Sequence, residues 1–393
     1  MFAALFRFGA VSGSIRGSGA CRPAETPSRR GVSGRYLLSF RLGSMSRFRP
    51  SVDALDAYAP GEQPPAGGAI VKLNTNENPY PPGPLALAAL DAIDGEMLRR
   101  YPQPLADTFR QSAAEVLDVD PEWILAGNGS DDLLTMLFRA VTGAGRAVAY
   151  PSPTYVLYRT LAAIQGAPVL EIPFDEEYTL PVAALADARA ALTIVANPNS
   201  PSGTAATVAQ LAELADRTSG ILAVDEAYVA FAHASALDLA RRCDRVIVLR
   251  TLSKSHGLAG LRLGFGIAHP HLLAGLVKVK DSYNVDAVAA AVGAAAIRDI
   301  SYTRETMERI RATRTRLSAA LAGCGFRVWP SQANFVLARP ADGDARRLYE
   351  GLKQRGVLVR YFAEPGLADK LRITVGTEEQ TTRLLDRLAD LMR

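Results

Sequence analysis

Short apolar runs alternate with helical segments through the middle of the chain, and this alternation constrains the fold more than any other feature. Five runs are continuously apolar or rich in β-branched residues, as strands buried on both faces are; they are residues 147–150, 192–196, 221–224, 246–249 and 264–267. Helical patterns separate most of them, for example at residues 207–218. The sequence therefore predicts an α/β fold with a mainly parallel sheet.

The pattern changes near residue 300. Residues 303–321 predict one long helix, and Gly323 ends it. Three short apolar runs follow and predict strands, at residues 335–338, 357–359 and 371–375. We therefore expect a large domain over residues 85–300 and a smaller α+β domain over residues 301–393.

The N-terminal part differs from both. Residues 1–44 contain seven arginines and a single acid, Glu25, a composition typical of a targeting segment. The same composition suits upstream sequence read from a start codon placed too early, with Met45 as the true start, and the Ala- and Arg-rich usage of the whole chain favours this alternative. Residues 45–84 form an arm whose many turn formers argue against a packed element.

Composition excludes several classes of protein. Residues 1–44 contribute +6 to the formal net charge of +4, so the remaining residues carry −2, and affinity for nucleic acid is not implied. No apolar run is long enough to span a membrane. Three cysteines (Cys21, Cys243 and Cys324) lie far apart without metal-ligand spacing. We expect a cytoplasmic protein with neither a disulfide framework nor a metal site.

Lys254 is one of only six lysines, against thirty-eight arginines. It follows the apolar run 246–249 and opens a segment rich in small residues. Burial disfavours an ammonium group, so a lysine carried out of solvent can act as an amine nucleophile. The alternative is an ordinary surface lysine on a loop after a strand.

Three other segments carry polar groups at similar places. Residues 127–134 lead from glycines into a helix whose first N–H groups suit a phosphate, although an ordinary helix cap has the same composition. Asp225 ends a strand, where functional groups gather in doubly wound sheets, or else it caps a turn. Residues 197–203 form a loop constrained by two prolines and a glycine, which either aims its polar side chains or is a mere tight turn.

Together with Arg262, these segments match the requirements of pyridoxal 5′-phosphate. Lys254 would form the Schiff base, and Asp225 would keep the pyridine nitrogen protonated so that the ring takes up electrons. The phosphate requires N–H groups, hydroxyls and an arginine. The segment around Ser130 and Arg262 could supply these donors.

With further motifs, the chain resembles the fold-type I, class II pyridoxal-phosphate-dependent aminotransferases, and within them the histidinol-phosphate aminotransferase family. The likeness runs from about Tyr58 to the C-terminus. Its motifs are Leu73-Asn74-Thr75-Asn76-Glu77-Asn78-Pro79, Arg100-Tyr101-Pro102, Gly129-Ser130-Asp131, Pro153-Thr154-Tyr155, Asp225-Glu226-Ala227-Tyr228, Leu252-Ser253-Lys254 through Arg262, and Leu371-Arg372-Ile373-Thr374-Val375-Gly376. The resemblance implies a large domain with a mainly parallel sheet of the seven-stranded type, and a homodimer with shared active sites.

The resemblance also implies roles at the cofactor. Lys254 would hold pyridoxal 5′-phosphate and carry the proton during the reaction, Asp225 would pair with the ring nitrogen, and Tyr228 would hydrogen bond to the 3′-oxygen. The further contacts implied come from Ser130, Asp131, Tyr155, Ser200, Ser253 and Arg262, and from Tyr101 of the neighbouring subunit.

For the substrates, the resemblance implies Arg372, Arg360 and Tyr58. Arg372 would bind the carboxylate of glutamate or 2-oxoglutarate, or the phosphate of histidinol phosphate, since a guanidinium matches either anion. Arg360 would assist with the phosphate, and Tyr58 would cover the substrate from the neighbouring chain. The expected reaction is transamination in histidine biosynthesis. The alternatives are an aromatic amino-acid aminotransferase, a threonine-phosphate decarboxylase or a ligand sensor without catalysis.

Two positions depart from the family pattern. Ser200 stands where the family usually has an asparagine that donates to the cofactor, and the neighbouring Asn199 is a candidate to replace that contact. His256 stands where the family has an aromatic or apolar residue, and we interpret it as a packed side chain.

Overall fold

The structure, a computed structural model, describes residues 46–57, 62–63 and 70–393. Residues Phe48–Arg393 form one compact unit. The expectations for residues 1–44 and for Tyr58 lie outside the described residues. No helix in the described part of the chain combines the length and the apolar character needed to cross a membrane.

A seven-stranded sheet occupies the centre of the unit. Strand β1 (Val71–Lys72) lies outside this sheet. The strands of the sheet, in chain order, are β2 (Ile124–Gly127), β3 (Val148–Ser152), β4 (Val169–Pro173), β5 (Leu192–Ala196), β6 (Ile221–Asp225), β7 (Val246–Thr251) and β8 (Gly264–Ala268). They lie in the order β2-β8-β7-β6-β5-β3-β4. The strands of this sheet run in one direction except β8, which is antiparallel to both of its neighbours, β2 and β7. This arrangement confirms the predicted mainly parallel α/β sheet.

Burial on both faces explains why the central strands are continuously apolar. Along β7, Val246 and Val248 pack into one hydrophobic core, whereas Ile247 and Leu249 pack into a second core on the other face. All four are fully buried, and each such side chain contributes about 2 kcal/mol relative to exposure. A polar residue at any of these positions would therefore face a core rather than solvent.

Helices cover the sheet. They are α1 (Pro50–Asp53), α2 (Pro84–Asp91), α3 (Gly95–Leu98), α4 (Asp107–Leu117), α5 (Ser130–Val141), α6 (Leu157–Gln165), α7 (Val182–Asp187), α8 (Val208–Arg217), α9 (Leu237–Arg242), α10 (Leu252–Ser255), α11 (Pro270–Val277) and α12 (Ala287–Arg298). Helix α8 begins at a capping box formed by Thr207 and Gln210. Each of these two side chains satisfies a backbone N–H group of the other, which defines the start of the helix.

The C-terminal part has a core of its own. Its elements are α13 (Ile300–Gly323), β9 (Arg327–Val328), β10 (Phe335–Arg339), α14 (Ala345–Gln354), β11 (Val357–Leu358), β12 (Arg360–Tyr361), β13 (Leu371–Thr374) and α15 (Glu378–Met392). Four strands form an antiparallel sheet in the order β12-β13-β10-β9. The long predicted helix is present as α13 and begins three residues earlier than expected. The division into two domains at residue 300 stays a prediction.

The N-terminal arm contains a packed segment, so the expectation of no packed element there is wrong. Strand β1 pairs in parallel with β11. Leu73, which follows it, is buried, accepts a hydrogen bond from Thr374 N (3.0 Å) and donates one to Leu358 O (2.7 Å). Turn-forming composition does not reveal such pairing, because the partners lie almost three hundred residues further along the chain.

Candidate active site

Lys254 lies in the single turn of α10, directly after β7. Thr251 caps this turn, and its Oγ1 accepts a hydrogen bond from Ser253 N at 3.1 Å. The half-buried Nζ of Lys254 donates to Thr75 O at 3.3 Å. Burial, assisted by the charge of Arg372, lowers the pKa of Lys254 to about 8. The neutral, nucleophilic amine is therefore accessible near neutral pH.

Asp225 ends β6, the strand next to β7, and its carboxylate is buried. The Tyr158 hydroxyl donates to Asp225 Oδ2 at 2.7 Å, and Ala227 N donates to Oδ1 at 3.2 Å. Burial raises the pKa of Asp225 to about 6, against the opposing effect of the Tyr158 hydrogen bond. Among the described residues, none of the ion pairs involves Asp225. A buried carboxylate whose pKa is raised by burial suits a cationic ligand such as a protonated pyridine nitrogen.

The start of α5 forms a cradle for an anion. Gly129 precedes the helix at φ 79°, a conformation that favours glycine. Gly264 on β8 lies so close that an added Cβ would be 2.3 Å from Ser130 N. Within the described part of the chain, no side chain caps α5. Its first N–H groups and the positive end of its dipole suit a phosphate.

Arg262 and Ser253 lie beside the start of α5. Arg262 Nη1 donates to Ser253 Oγ at 3.3 Å, and Nη2 donates to Asp131 Oδ2 at 3.3 Å in the first turn of α5. Arg262 itself has a positive φ of 55°. The site thus combines N–H groups, a hydroxyl and a guanidinium, which is the donor set that a phosphate requires. These residues fit the expected cofactor.

Tyr228, Ser200 and Arg372 lie together. Arg372 Nη1 donates to Ser200 Oγ at 3.0 Å, and Nη2 donates to Asn74 O at 3.1 Å. Ser200 also lies near enough to Tyr228 to lower the pKa of its phenol. Ser200 therefore lies beside two of the expected site residues. Burial is the main cause of the raised pKa of Tyr228, and the charge of Arg372 opposes it.

Asn199 does not replace the missing asparagine. Its Nδ2 donates to Ser202 Oγ at 2.9 Å and to Pro153 O at 3.2 Å, and its Oδ1 accepts from Thr154 Oγ1 at 2.8 Å. These bonds tie the loop to the segment after β3. The amide of Asn199 is thus committed to holding its own loop.

Arg360 and Arg372 lie on neighbouring strands of the small sheet, β12 and β13. The guanidinium of Arg372 also lies over the ring of Phe335, at 5.3 Å from its centroid. That aromatic contact stabilises the cation in a partly buried position. The strand pairing therefore brings the two expected substrate arginines together.

Two further tyrosines were expected at the site. Tyr155 donates through its hydroxyl to Asp131 Oδ1 at 3.2 Å and lines a cavity of about 610 Å³. Tyr101 is 83% exposed, and its ring stacks on Tyr283 with centroids 4.7 Å apart. Tyr101 was expected at the site of the neighbouring subunit, and that expectation stays a prediction.

Four residues of the site received no role from the sequence: Thr75, Asn76 and Asn78 in the arm, and Tyr158 on α6. Asn78 Nδ2 donates to Lys254 O at 3.0 Å and to Ser255 O at 3.1 Å, so it holds the turn that carries the lysine. Asn76 and Asn78 lie in the family motif of residues 73–79, and this motif was the sequence signal that could have identified them as site residues. Tyr158 packs against Tyr155, which lies just before α6, with ring centroids 5.7 Å apart.

The surroundings of His256 disfavour the charged form of its ring. Its Nδ1 lies 2.7 Å from Ser255 Oγ, and burial lowers its pKa to about 4. Both observations fit its interpretation as a packed side chain.

Comparisons with known proteins identify the family of this chain. The family model for aminotransferases of class I and II matches residues 69–388. Histidinol-phosphate aminotransferase 1 of Trichormus variabilis is 55% identical over 88% of this chain and 99% of its own length. Histidinol-phosphate aminotransferase of Rhodopirellula baltica is 45% identical, over 85% of this chain and 92% of its own.

A solved structure is also similar. The crystal structure of histidinol-phosphate aminotransferase from Sinorhizobium meliloti in complex with pyridoxal-5′-phosphate has a TM-score of 0.81 and 26% sequence identity. The match covers 89% of this chain and 99% of that one. With the seven-stranded sheet and the site described above, these findings show that the chain belongs to the class I and II aminotransferase family.

Proposed function

We propose that this protein is a pyridoxal-phosphate-dependent aminotransferase that exchanges an amino group between L-histidinol phosphate and 2-oxoglutarate, giving imidazole-acetol phosphate and glutamate. The observation that carries the proposal is the Lys254 amine, whose pKa is lowered to about 8 by burial and by the charge of Arg372, which pairs across the strands with Arg360. The relatives from Trichormus variabilis and Rhodopirellula baltica bear the name of this activity. The reaction belongs to histidine biosynthesis.

The donor set supports the cofactor. Pyridoxal 5′-phosphate supplies an aldehyde that accepts the amino group and a ring that takes up electron density from the substrate. The first N–H groups of α5, with Ser253 and Arg262, would bind its phosphate. Asp225 would hold the ring nitrogen, and Tyr155 would pack on the ring. The similar enzyme from Sinorhizobium meliloti was crystallised in complex with the same compound.

Lys254 would move the proton in the reaction. Its pKa of about 8 leaves part of the population as the free amine, which can take a proton from the substrate carbon and return it. The arm restrains this group, since Thr75 accepts from its Nζ and Asn78 binds its carbonyl. Held in this way, the amine needs little reorganisation during proton transfer.

Arg372 would bind the anionic end of both substrates, the carboxylate in one half-reaction and the phosphate in the other. Ser200 and Asn74 hold its guanidinium from one side. Arg360 would contribute a second charge for the phosphate. Two arginines favour a phosphorylated or dicarboxylic substrate over phenylalanine, because a single charge can be neutralised by one guanidinium.

We also propose a homodimer in the cytoplasm. Exposed apolar side chains lie on and after α2 and α3, where a second subunit would cover them; they are Leu85, Leu87, Leu90, Leu98 and Tyr101. The widely spaced cysteines suit a reducing compartment. The mass in solution, measured by light scattering, tests the dimer, and a monomer at micromolar concentration would contradict it.

A substrate screen tests the activity. Steady-state rates are measured for histidinol phosphate, for histidinol and for phenylalanine, each with 2-oxoglutarate. We expect kcat/KM to be highest for histidinol phosphate and at least ~10²-fold lower without the phosphate, as for loss of a charged hydrogen-bonded pair. If phenylalanine gave the higher kcat/KM, an aromatic aminotransferase would replace the proposal. Release of CO₂ from threonine phosphate would favour the decarboxylase.

A further inference from the structure

Asn76 occupies an unusual position beside Tyr228. It is 2% exposed and adopts φ 55°, a left-handed conformation that few residues other than glycine accept without cost. Asparagine is among the residues that tolerate it. A buried, polar, left-handed residue persists only when its surroundings hold it in place.

All four polar groups of Asn76 are engaged. Its N donates to Thr374 Oγ1 at 3.0 Å, and its carbonyl accepts from Asn334 Nδ2 at 3.0 Å. Its Oδ1 accepts from Thr374 Oγ1 at 3.1 Å, and its Nδ2 donates to the Tyr228 hydroxyl oxygen at 2.9 Å. Thr374 lies on β13, two residues after Arg372. Asn76 therefore links the substrate-binding strand to Tyr228.

The direction of the bond to Tyr228 follows from these contacts. Thr374 accepts from the backbone of Asn76 and has one hydroxyl hydrogen to donate. If the Asn76 amide were rotated by half a turn, its Nδ2 would face Thr374, and the hydroxyl hydrogen of Thr374 would have no acceptor among the described residues. Buried polar groups rarely stay unsatisfied. The Nδ2 group therefore faces Tyr228, and the phenol oxygen is the acceptor.

Ser200 acts on the same phenol. Its hydroxyl oxygen accepts from Arg372 Nη1, and its proximity lowers the pKa of Tyr228. A phenol oxygen has two acceptor lone pairs and one hydrogen. With Asn76 donating to a lone pair, the hydrogen of Tyr228 has to point away from the Asn76 amide.

We propose that Asn76 is a positioning residue that orients the Tyr228 hydroxyl, so that its hydrogen is donated to the 3′-oxygen of the bound cofactor. This inference rests on the proposed cofactor site. The partial charge that Asn76 places on the phenol oxygen also strengthens the donation, because hydrogen bonds in series polarise one another. Ser200, which replaces the usual asparagine of the family, acts on the same oxygen.

The visible absorbance of the cofactor-bound enzyme reports this contact, through the pH midpoint of its titration. A donor on the 3′-oxygen stabilises negative charge there and lowers that midpoint, so losing the donor raises it. The charged groups that act on Tyr228 are Arg372 and Asp225, and both are retained in the variants below.

Asn76→Gly removes the amide and tolerates the left-handed backbone. We expect it to raise the midpoint by about half a pH unit, in the same direction as Tyr228→Phe. In a Tyr228→Phe background, Asn76→Gly should change the midpoint no further, because the two groups act through one bond. An equal midpoint in Asn76→Gly and wild type, or a shift that persists in the Tyr228→Phe background, would overturn the proposal.

Asn334→Ala is the matched control, since it removes the bond to the Asn76 carbonyl and leaves the amide facing Tyr228. We expect a lower melting temperature with an unchanged midpoint; a shift as large as that of Asn76→Gly would mean general loosening and contradict the proposal. If Asn76→Gly does not fold, Asn76→Asp keeps the size and the Thr374 contact, and should raise the midpoint more in the presence of Tyr228 than in the Tyr228→Phe background. Absence of a visible band in wild type would instead refute the cofactor site itself.

Discussion

Arg360 lies directly opposite Arg372 in the antiparallel register of β12 and β13. Their guanidinium groups lie over the same ring, that of Phe362, at 5.2 Å and 5.5 Å from its centroid. Like charges directly across a strand pair destabilise it, and the shared aromatic face offsets part of that cost. An anion bound between them would remove the remaining repulsion, and this is the reason for proposing that the pair binds a strongly charged group.

Replacing each arginine should therefore affect the substrates differently. Arg372→Ala should lower kcat/KM by ~10²-fold for histidinol phosphate and for 2-oxoglutarate, as for loss of a charged hydrogen-bonded partner. Arg360→Ala should lower it by ~10-fold for histidinol phosphate and less for 2-oxoglutarate, since it adds a second charge for the phosphate. Arg346→Ala, at an exposed arginine paired with Glu350 on α14, is the control. A loss confined to one half-reaction in Arg372→Ala would mean that the arginine is not shared.

Lys254→Ala should abolish the visible absorbance of the bound cofactor and lower kcat by more than ~10³-fold, because no other lysine was placed in the site among the residues that the structure describes. The spectrum of the purified protein and single-turnover kinetics check this. Lys278→Ala, at an exposed lysine, should leave both unchanged. Turnover retained by Lys254→Ala would show that the lysine has been misassigned.

Asp225 should make the stability of the cofactor-free protein depend on pH. Burial raises its pKa from 3.8 to about 6, so the folded state binds the proton more tightly than the unfolded state. The free energy of unfolding therefore falls as the pH rises from about 4 to 6, by about 2–3 kcal/mol from this group. Above pH 6 the loss is complete.

Asp225→Asn removes that contribution. Relative to wild type, its free energy of unfolding should be about 2–3 kcal/mol larger at pH 7.5, which means greater stability, than at pH 4. Urea unfolding of the cofactor-free proteins at the two pH values gives this difference directly. The same variant should lower kcat strongly. A difference that is the same at both pH values would mean that Asp225 titrates normally in the folded state.

Gly264→Ala should weaken cofactor binding. The added Cβ would lie 2.3 Å from Ser130 N, so the start of α5 would have to move away from β8 and from the phosphate. We expect the Kd for pyridoxal 5′-phosphate to rise by at least ~10-fold, as for loss of one good charged hydrogen bond. Gly275→Ala is the matched control, because a Cβ there meets nothing within 4 Å. Equal Kd values in the two variants would contradict the proposed cradle.

The strands that the sequence predicted best are those buried on both faces. β5 begins and ends where expected, and β6 and β8 differ by one residue at one end. β4 was not predicted because it lies at the edge of the sheet, is only partly buried, and contains Glu171 and Pro173. β12 has only two residues, Arg360 and Tyr361, and both are partly exposed. It therefore produces no apolar run in the sequence.

The residues of the site also divide into those that the sequence indicated and those that it did not. Lys254, Asp225 and Arg262 are the groups proposed to act on the cofactor directly, so their residue types and order along the chain indicated these proposed roles. Tyr158 and Asn76 act by touching those residues or Tyr228, and the sequence around them, including the motif that contains Asn76, does not say which side chain each of them contacts. Their positions became informative only through the structure.

The sequence by itself determined the mainly parallel sheet, the family and the groups able to bind a cofactor, because periodicity, burial and motif order are local properties of the chain. The tertiary structure decided which groups meet. Tyr158 reaches Asp225 across 67 residues, and Asn76 reaches Thr374 across 298. Such contacts depend on strand register and on the crossing of distant segments, which no local pattern specifies.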